Sequence, residues 1–125
     1  MSSILIVEDN EKNMNLVRDI LAHHGHLVIE AATGEEGVRL ALSQAPDLIL
    51  MDIQLPDISG VEALARIRAV PALQAVPVLA VSASVMPDEQ QRIVTSGFDA
   101  FIAKPISIKP FLAAVTTALK EGRPT

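Results

Sequence analysis

The sequence contains no cysteine, no tryptophan and no tyrosine, and only three phenylalanines among 125 residues. Without cysteine there is no disulfide framework and no thiol catalysis, which fits a reducing compartment. With so few rings the core must be aliphatic, built from the Ile, Leu, Val and Ala that dominate the 50% apolar content. No run approaches the roughly 18 apolar residues that a membrane span requires. No basic segment precedes the short apolar run after Met1, Ser2 and Ser3, so a cytoplasmic protein without membrane insertion is expected. Positive charge is also scarce. Ten Lys and Arg against fifteen Asp and Glu give a net charge of −5, and the cations are scattered singly. Direct DNA binding, which depends on clustered cations facing phosphates, is not expected. One domain with a real core is all that this length carries.

What the sequence does hold is a repetition. Four short apolar runs each stop at a residue capable of ion or phosphate chemistry: residues 4–7 at Glu8 and Asp9, 48–51 at Asp52, 78–81 at Ser82, and 101–103 at Lys104. Continuous apolar runs read as buried strands of a parallel sheet, and open α/β sheets bind ligands beyond the carboxyl ends of their strands. Three carboxylates, a hydroxyl and an ammonium are thus expected along one sheet edge.

These runs alternate with helical patterns in five βα units, with strands at 4–7, 27–31, 48–51, 76–81 and 101–103. Asn10 is placed to cap the first helix, which runs to about His24 and ends near Gly25, with Met14, Val17, Ile20 and Leu21 as its inner stripe. Thr33 with Glu36, and Ser59 with Glu62, have the spacing of capping boxes for helices two and three, which end near Ala45 and Ala69. Helix four starts near Asp88 and stops at Gly97. Ser107 is expected to cap the last helix, whose buried face is Phe111 or Leu112, then Val115 and Leu119. The domain spans residues 1–121, and 122–125 form a short tail.

Carboxylates gathered as Glu8, Asp9 and Asp52 repel one another unless a cation sits among them. Mg²⁺ suits such a set, because it takes oxygen ligands, keeps several waters and is usually shared with substrate phosphates. Any one of these acids alone is explained as well by helix capping; three at matched strand ends are not. Asp52, between Met51 and Ile53, is the least explained by capping, and carboxylates act as phosphoryl-accepting nucleophiles. Lys104 can neutralise a phosphoryl oxygen and Ser82 can donate to another. Pro105 directly after Lys104 permits a cis bond that turns the ammonium over the strand ends, with a trans proline ending the strand as the alternative. His23, His24 and His26 fall at a helix end, where histidine complements the helix dipole, and are not read as a metal site. Met14, Met51 and Met86 read as core filling.

Taken in order and spacing, Val7, Glu8, Asp9 and Asn10, the segment from Leu50 through Asp52 and Gln54 to Pro56 with Gly60, then Val81, Ser82 and Ala83, then Lys104 and Pro105, resemble one family. Over essentially its whole length the chain resembles the receiver domain of bacterial two-component response regulators. Several segments are most similar to stand-alone receivers of the DivK type and to receivers attached to hybrid histidine kinases.

The resemblance implies a flavodoxin-like, doubly wound α/β fold, a five-stranded parallel sheet in the order 2-1-3-4-5 with five helices. It implies that Asp52 accepts a phosphoryl group from a histidine kinase or a histidine phosphotransfer protein. Asp9, Asp52 and the Gln54 backbone carbonyl would hold Mg²⁺ directly, with Glu8 acting through water. Lys104 would bind the phosphoryl group, Ser82 would be the switch hydroxyl, and Phe101 the switch aromatic. The chain would then catalyse only its own phosphorylation and dephosphorylation. Its kinase or phosphotransfer partner would dock near helix one, and a downstream protein target on the face of helix four, strand five and helix five. The Met1 start favours a free-standing messenger. Ser82 stands where Thr is commoner, and Phe101 carries no hydroxyl, so only burial of its ring could report the state.

Two other readings compete. A small Mg²⁺-dependent phosphatase or phosphotransferase of the haloacid-dehalogenase type also forms an aspartyl-phosphate, but needs a second acid where this chain has Gln54. A flavodoxin-like cofactor module would set Glu8 and Asp9 against its phosphate and has no Trp or Tyr to stack a flavin.

Overall fold

The structure, a computed structural model, describes residues 2–83 and 86–122. The elements are β1 (Ser3–Val7), α1 (Glu11–His23), β2 (Leu27–Ala31), α2 (Gly34–Gln44), β3 (Leu48–Asp52), α3 (Gly60–Arg68), a 3₁₀ turn at Pro71–Leu73, β4 (Val78–Ser82), α4 (Pro87–Thr95), β5 (Ala100–Ala103) and α5 (Ile108–Glu121). All strand pairs are parallel, in the order β2-β1-β3-β4-β5. The expected tail lies largely outside the described residues, which stop at Gly122.

Both faces of the sheet are buried, which is why its central strands are apolar without interruption. Along β3, Leu48 and Leu50 join a cluster with Ile4, Ile6, Leu21 of α1 and Phe111 and Val115 of α5. The alternate residues Ile49 and Met51 face the other way, into a cluster with Leu5, Val7, Leu64 and Ile67 of α3 and Ile93 of α4. A side-chain period of two thus feeds two cores from each strand. The α1 stripe of Met14, Val17, Ile20 and Leu21 is buried as its spacing requires.

Local signals set most boundaries. Asn10 accepts from the Asn13 N–H at 3.0 Å, Thr33 from Glu36 at 3.1 Å and Ser59 from Glu62 at 3.1 Å. Glu36 reaches back to the Ala32 N–H at 3.0 Å, one residue before the cap. Three expectations are corrected. Ser107 precedes α5 but makes no side-chain cap, so the helix starts without that bond. Met86 is 60% exposed rather than core filling, because it sits outside the sheet sandwich at the start of α4, just before Pro87. Phe111, not Leu112, fills the deep position on α5, and Leu119 is only half buried.

At the amino end of the sheet, Arg68 donates to the Leu73 and Val76 carbonyls at 3.1 and 2.7 Å and to Asp99 Oδ2 at 3.0 Å. Asp99 Oδ2 also accepts from the Val78 N–H at 2.8 Å. This half-hidden ion pair ties the end of α3 to the starts of β4 and β5. Nothing in the local sequence pattern marks it.

Candidate functional site

The chain passes from β1 outward to β2, then returns to lay β3 on the other side of β1. Such a reversal opens a crevice at the carboxyl ends of the two central strands. β1 delivers Glu8 and Asp9 there and β3 delivers Asp52. Their carboxylate oxygens lie within 4.8 Å of one another. They line a cleft of about 600 Å³ together with Asn10, Gln54, Pro56 and Lys104.

Burial singles out this edge. Among the described residues, the buried polar or charged ones are Glu8, Asp52 and Ser82, exposed by 5%, 4% and 6%. Polar groups are withdrawn from water only where something compensates them. For the two carboxylates the compensation is Lys104, whose Nζ lies 2.8 Å from Glu8 Oε1 and 2.9 Å from Asp52 Oδ2. Lys104 is brought into reach by β5, which places the Lys104 N–H 2.9 Å from the Ser82 carbonyl; the Lys104–Pro105 bond that follows is cis.

Asp52 Oδ1 accepts from the Gln54 N–H at 3.0 Å, and Glu8 Oε2 from the Asn10 N–H at 3.2 Å. Each buried carboxylate therefore has one backbone donor and a share of one ammonium. Gly60 completes the turn: its N–H bonds the Ile53 carbonyl at 2.9 Å, and a Cβ there would collide with the Asp52 carbonyl. Asp9, by contrast, is exposed and faces the open side of the cleft.

Burial pushes the Glu8 carboxyl up to about 7, helped by its hydrogen bond with the Asp52 carboxyl and opposed by Lys104. Burial also works against the Lys104 ammonium, but its bonds to Glu8 and Asp52 prevail and hold it above its ordinary value. The donor set is three hard oxygen acids with one ammonium in their midst. A divalent cation that prefers oxygen ligands fits it, because added positive charge offsets the mutual repulsion of the gathered carboxylates.

Ser82 ends β4 opposite Ala103 in register, and Phe101, two residues earlier on β5, is partly buried against the core. His23, His24 and His26 form no group with other ligand types among the described residues. Asp57, in the loop after β3, has a role that its sequence position did not signal: it accepts from the Gly34 and Glu35 N–H groups of α2, both at 2.8 Å. Its partners lie 22 and 23 residues away, beyond the reach of any local pattern.

The comparisons with known proteins agree with this geometry. Residues 4–116 match the family model for the response regulator receiver domain. The polar-differentiation response regulator DivK of Brucella ovis and that of Brucella melitensis are each 43% identical over 120 residues, covering 96% of this chain and 98% of theirs. Among solved structures, the receiver domain of the sensor histidine kinase PA1611 of Pseudomonas aeruginosa PAO1 is 30% identical, with a TM-score of 0.88 over 95% of this chain and 98% of that one. It holds a magnesium ion in its active-site cleft. A CheY-like receiver domain protein of Methanospirillum hungatei JF-1 is 28% identical, with a TM-score of 0.87 over 97% and 95% of the two chains. The chain belongs to the response regulator receiver family.

Proposed function

We propose that this chain is a single-domain response regulator that takes a phosphoryl group onto Asp52 and signals by phosphorylation-dependent binding to another protein. The observation that carries this reading is the convergence on Asp52 of a partly buried ammonium, a backbone donor and two further carboxylates at one strand end. A phosphohistidine on a histidine kinase or a phosphotransfer protein would be the donor. An Asp52 oxygen attacks phosphorus as the P–N bond breaks, and the imidazole leaves with a proton.

Asp9, Asp52 and the Gln54 carbonyl would hold Mg²⁺, with Glu8 acting through water. When bound, the ion supplies neutralising charge for the phosphoryl oxygens. Lys104 is already aimed at Asp52 and stabilises the charge that gathers there. A separate small-molecule phosphatase is not favoured: the residue two after Asp52 is Gln54, which offers an amide rather than an acid.

Output would use the face of α4, β5 and α5. Gln91, Arg92, Val94 and Ile108 are exposed there. Phe101 lines a cavity of about 230 Å³ with Pro110 and Phe111. The new charge on Asp52 draws Ser82 inward and Phe101 follows. The kinase or phosphotransfer protein would dock near α1, and the setting would be cytoplasmic, without DNA contact.

The test is incubation with acetyl phosphate and MgCl₂. One acid-stable, base-labile phosphoryl adduct should form and should be absent from Asp52→Ala. Labelling of Asp52→Ala at the rate of the unaltered chain would sink the reading.

A further inference from the structure

Residues 53–59 leave the end of β3 and return to α3 as a loop that carries the Gln54 carbonyl. Two anchors lie within the loop's own ends: the Gln54 N–H on Asp52 Oδ1 at 3.0 Å and the Gly60 N–H on the Ile53 carbonyl at 2.9 Å. The third lies on a different element. Asp57 Oδ1 accepts from the Gly34 N–H and Oδ2 from the Glu35 N–H, each at 2.8 Å.

Those are the first two N–H groups of α2, which have no partner inside the helix. The next, on Glu36, goes to Thr33 Oγ1 at 3.1 Å. A carboxylate at this position makes charge-assisted bonds and meets the positive end of the helix dipole. The Glu35 N–H is the foremost reason that the Asp57 carboxyl is held below its ordinary range. The join is also packed and paired: a Cβ on Gly34 would collide with Ile58, and Arg66 of α3 donates to Glu35 Oε1 at 2.7 Å.

A cap drawn from the residue before the helix serves that helix alone, as Thr33 does. A cap drawn from the loop ties α2 to backbone a few residues beyond Gln54. Mg²⁺ demands near-ideal octahedral geometry and tolerates a wandering ligand poorly. Resting on the reading of the site given above, we propose that Asp57 is a positioning residue. By bracing the β3–α3 loop on the N-terminus of α2, it holds the Gln54 carbonyl in place and sets metal affinity from outside the ligand set.

The experiment titrates the full chain with MgCl₂ by calorimetry, with thermal melts alongside, for the unaltered protein, Asp57→Ala, Asp57→Asn and Thr33→Ala. Thr33→Ala removes a cap from the same turn of α2 and leaves the loop alone. Asp57→Ala should weaken Mg²⁺ binding about tenfold, the low end for groups that orient metal ligands. Asp57→Asn, with one acceptor kept and the charge lost, should weaken it less. Thr33→Ala should lower the melting temperature and leave the affinity unchanged.

Unchanged affinity in Asp57→Ala overturns the inference, and so does an equal loss in Thr33→Ala, which would mean that loosening α2 suffices. Should Asp57→Ala not fold, Asp57→Asn decides by the same criterion. An unaltered chain that binds no Mg²⁺ overturns the reading of the site itself, and the inference with it. The two failures are told apart by the unaltered chain.

Discussion

Lys104 Nζ stands 2.9 Å from Asp52 Oδ2, although 52 residues of chain separate the two, and the same ammonium is 2.8 Å from Glu8 Oε1. One cation from the fifth strand's end thus serves acids from the first and third. With both acids nearly excluded from water, each contact is stronger than it would be on an open surface.

Lys104→Met should therefore slow phosphorylation of Asp52 about a hundredfold, the cost of removing one preorganised donor from a site of charge development. The initial rate with acetyl phosphate at saturating MgCl₂ measures this. A rate within twofold of the unaltered chain would show that the ammonium has no part in the transfer.

Asp9→Asn should weaken Mg²⁺ binding strongly. Asp9 is the exposed member of the acidic trio, so its loss removes a charged oxygen from the cleft without emptying a buried position. The melting temperature should barely move. An unchanged Mg²⁺ titration would take Asp9 out of the ligand set.

Ser82→Ala should accept phosphate and signal poorly. The acids and Lys104 are intact, but the hydroxyl at the end of β4 that would move toward the new anion is gone. Binding of a cognate target by phosphorylated Ser82→Ala, compared with the phosphorylated unaltered chain, separates chemistry from output. Equal affinities would rule out Ser82 as the trigger.

The Asp57 carboxyl is held below its ordinary value of 3.8 by the Glu35 N–H first and the Gly34 N–H after it, so the folded chain binds this proton less readily than the unfolded one. The stability it contributes is complete above 3.8 and disappears as pH falls through the folded value. The gap in melting temperature between the unaltered chain and Asp57→Asn should then be widest above about pH 4 and narrow in acid. A gap that is constant down to the acid limit of folding would contradict this assignment.

Arg68→Ala should destabilise the domain by about 3 kcal/mol, because it strips a shielded carboxylate of its cation and two carbonyls of their donor. Urea unfolding should show a lower midpoint with an unchanged slope. A loss under about 0.5 kcal/mol, the scale of an exposed pair, would mean that water replaces the guanidinium.

The fold was legible because it is written in short-range terms. Strands buried on both faces need unbroken apolar runs, so the first polar residue after each run marks a strand end. That is how Glu8, Asp9, Asp52, Ser82 and Lys104 could be lined up before any contact was known. Caps such as Thr33 and Ser59 act over three residues and are equally local. Met86 misled because a methionine beside a strand carries no mark of which side of the core it will meet, and it lies 60% exposed.

The sequence by itself thus determined the elements, their alternation and which residues could reach one sheet edge, since periodicity and capping are settled within a few residues. Only the tertiary structure decided that Glu8 is nearly as deeply buried as Asp52, that Lys104 divides itself between them, that Arg68 finds Asp99, and that Asp57 caps a helix it does not belong to. Each of those pairings joins positions 22 or more residues apart. They form because packing helices on both faces of the sheet brings segments distant in sequence together at its two ends, where groups withdrawn from water, as the Glu8 and Asp52 carboxylates are, need a partner.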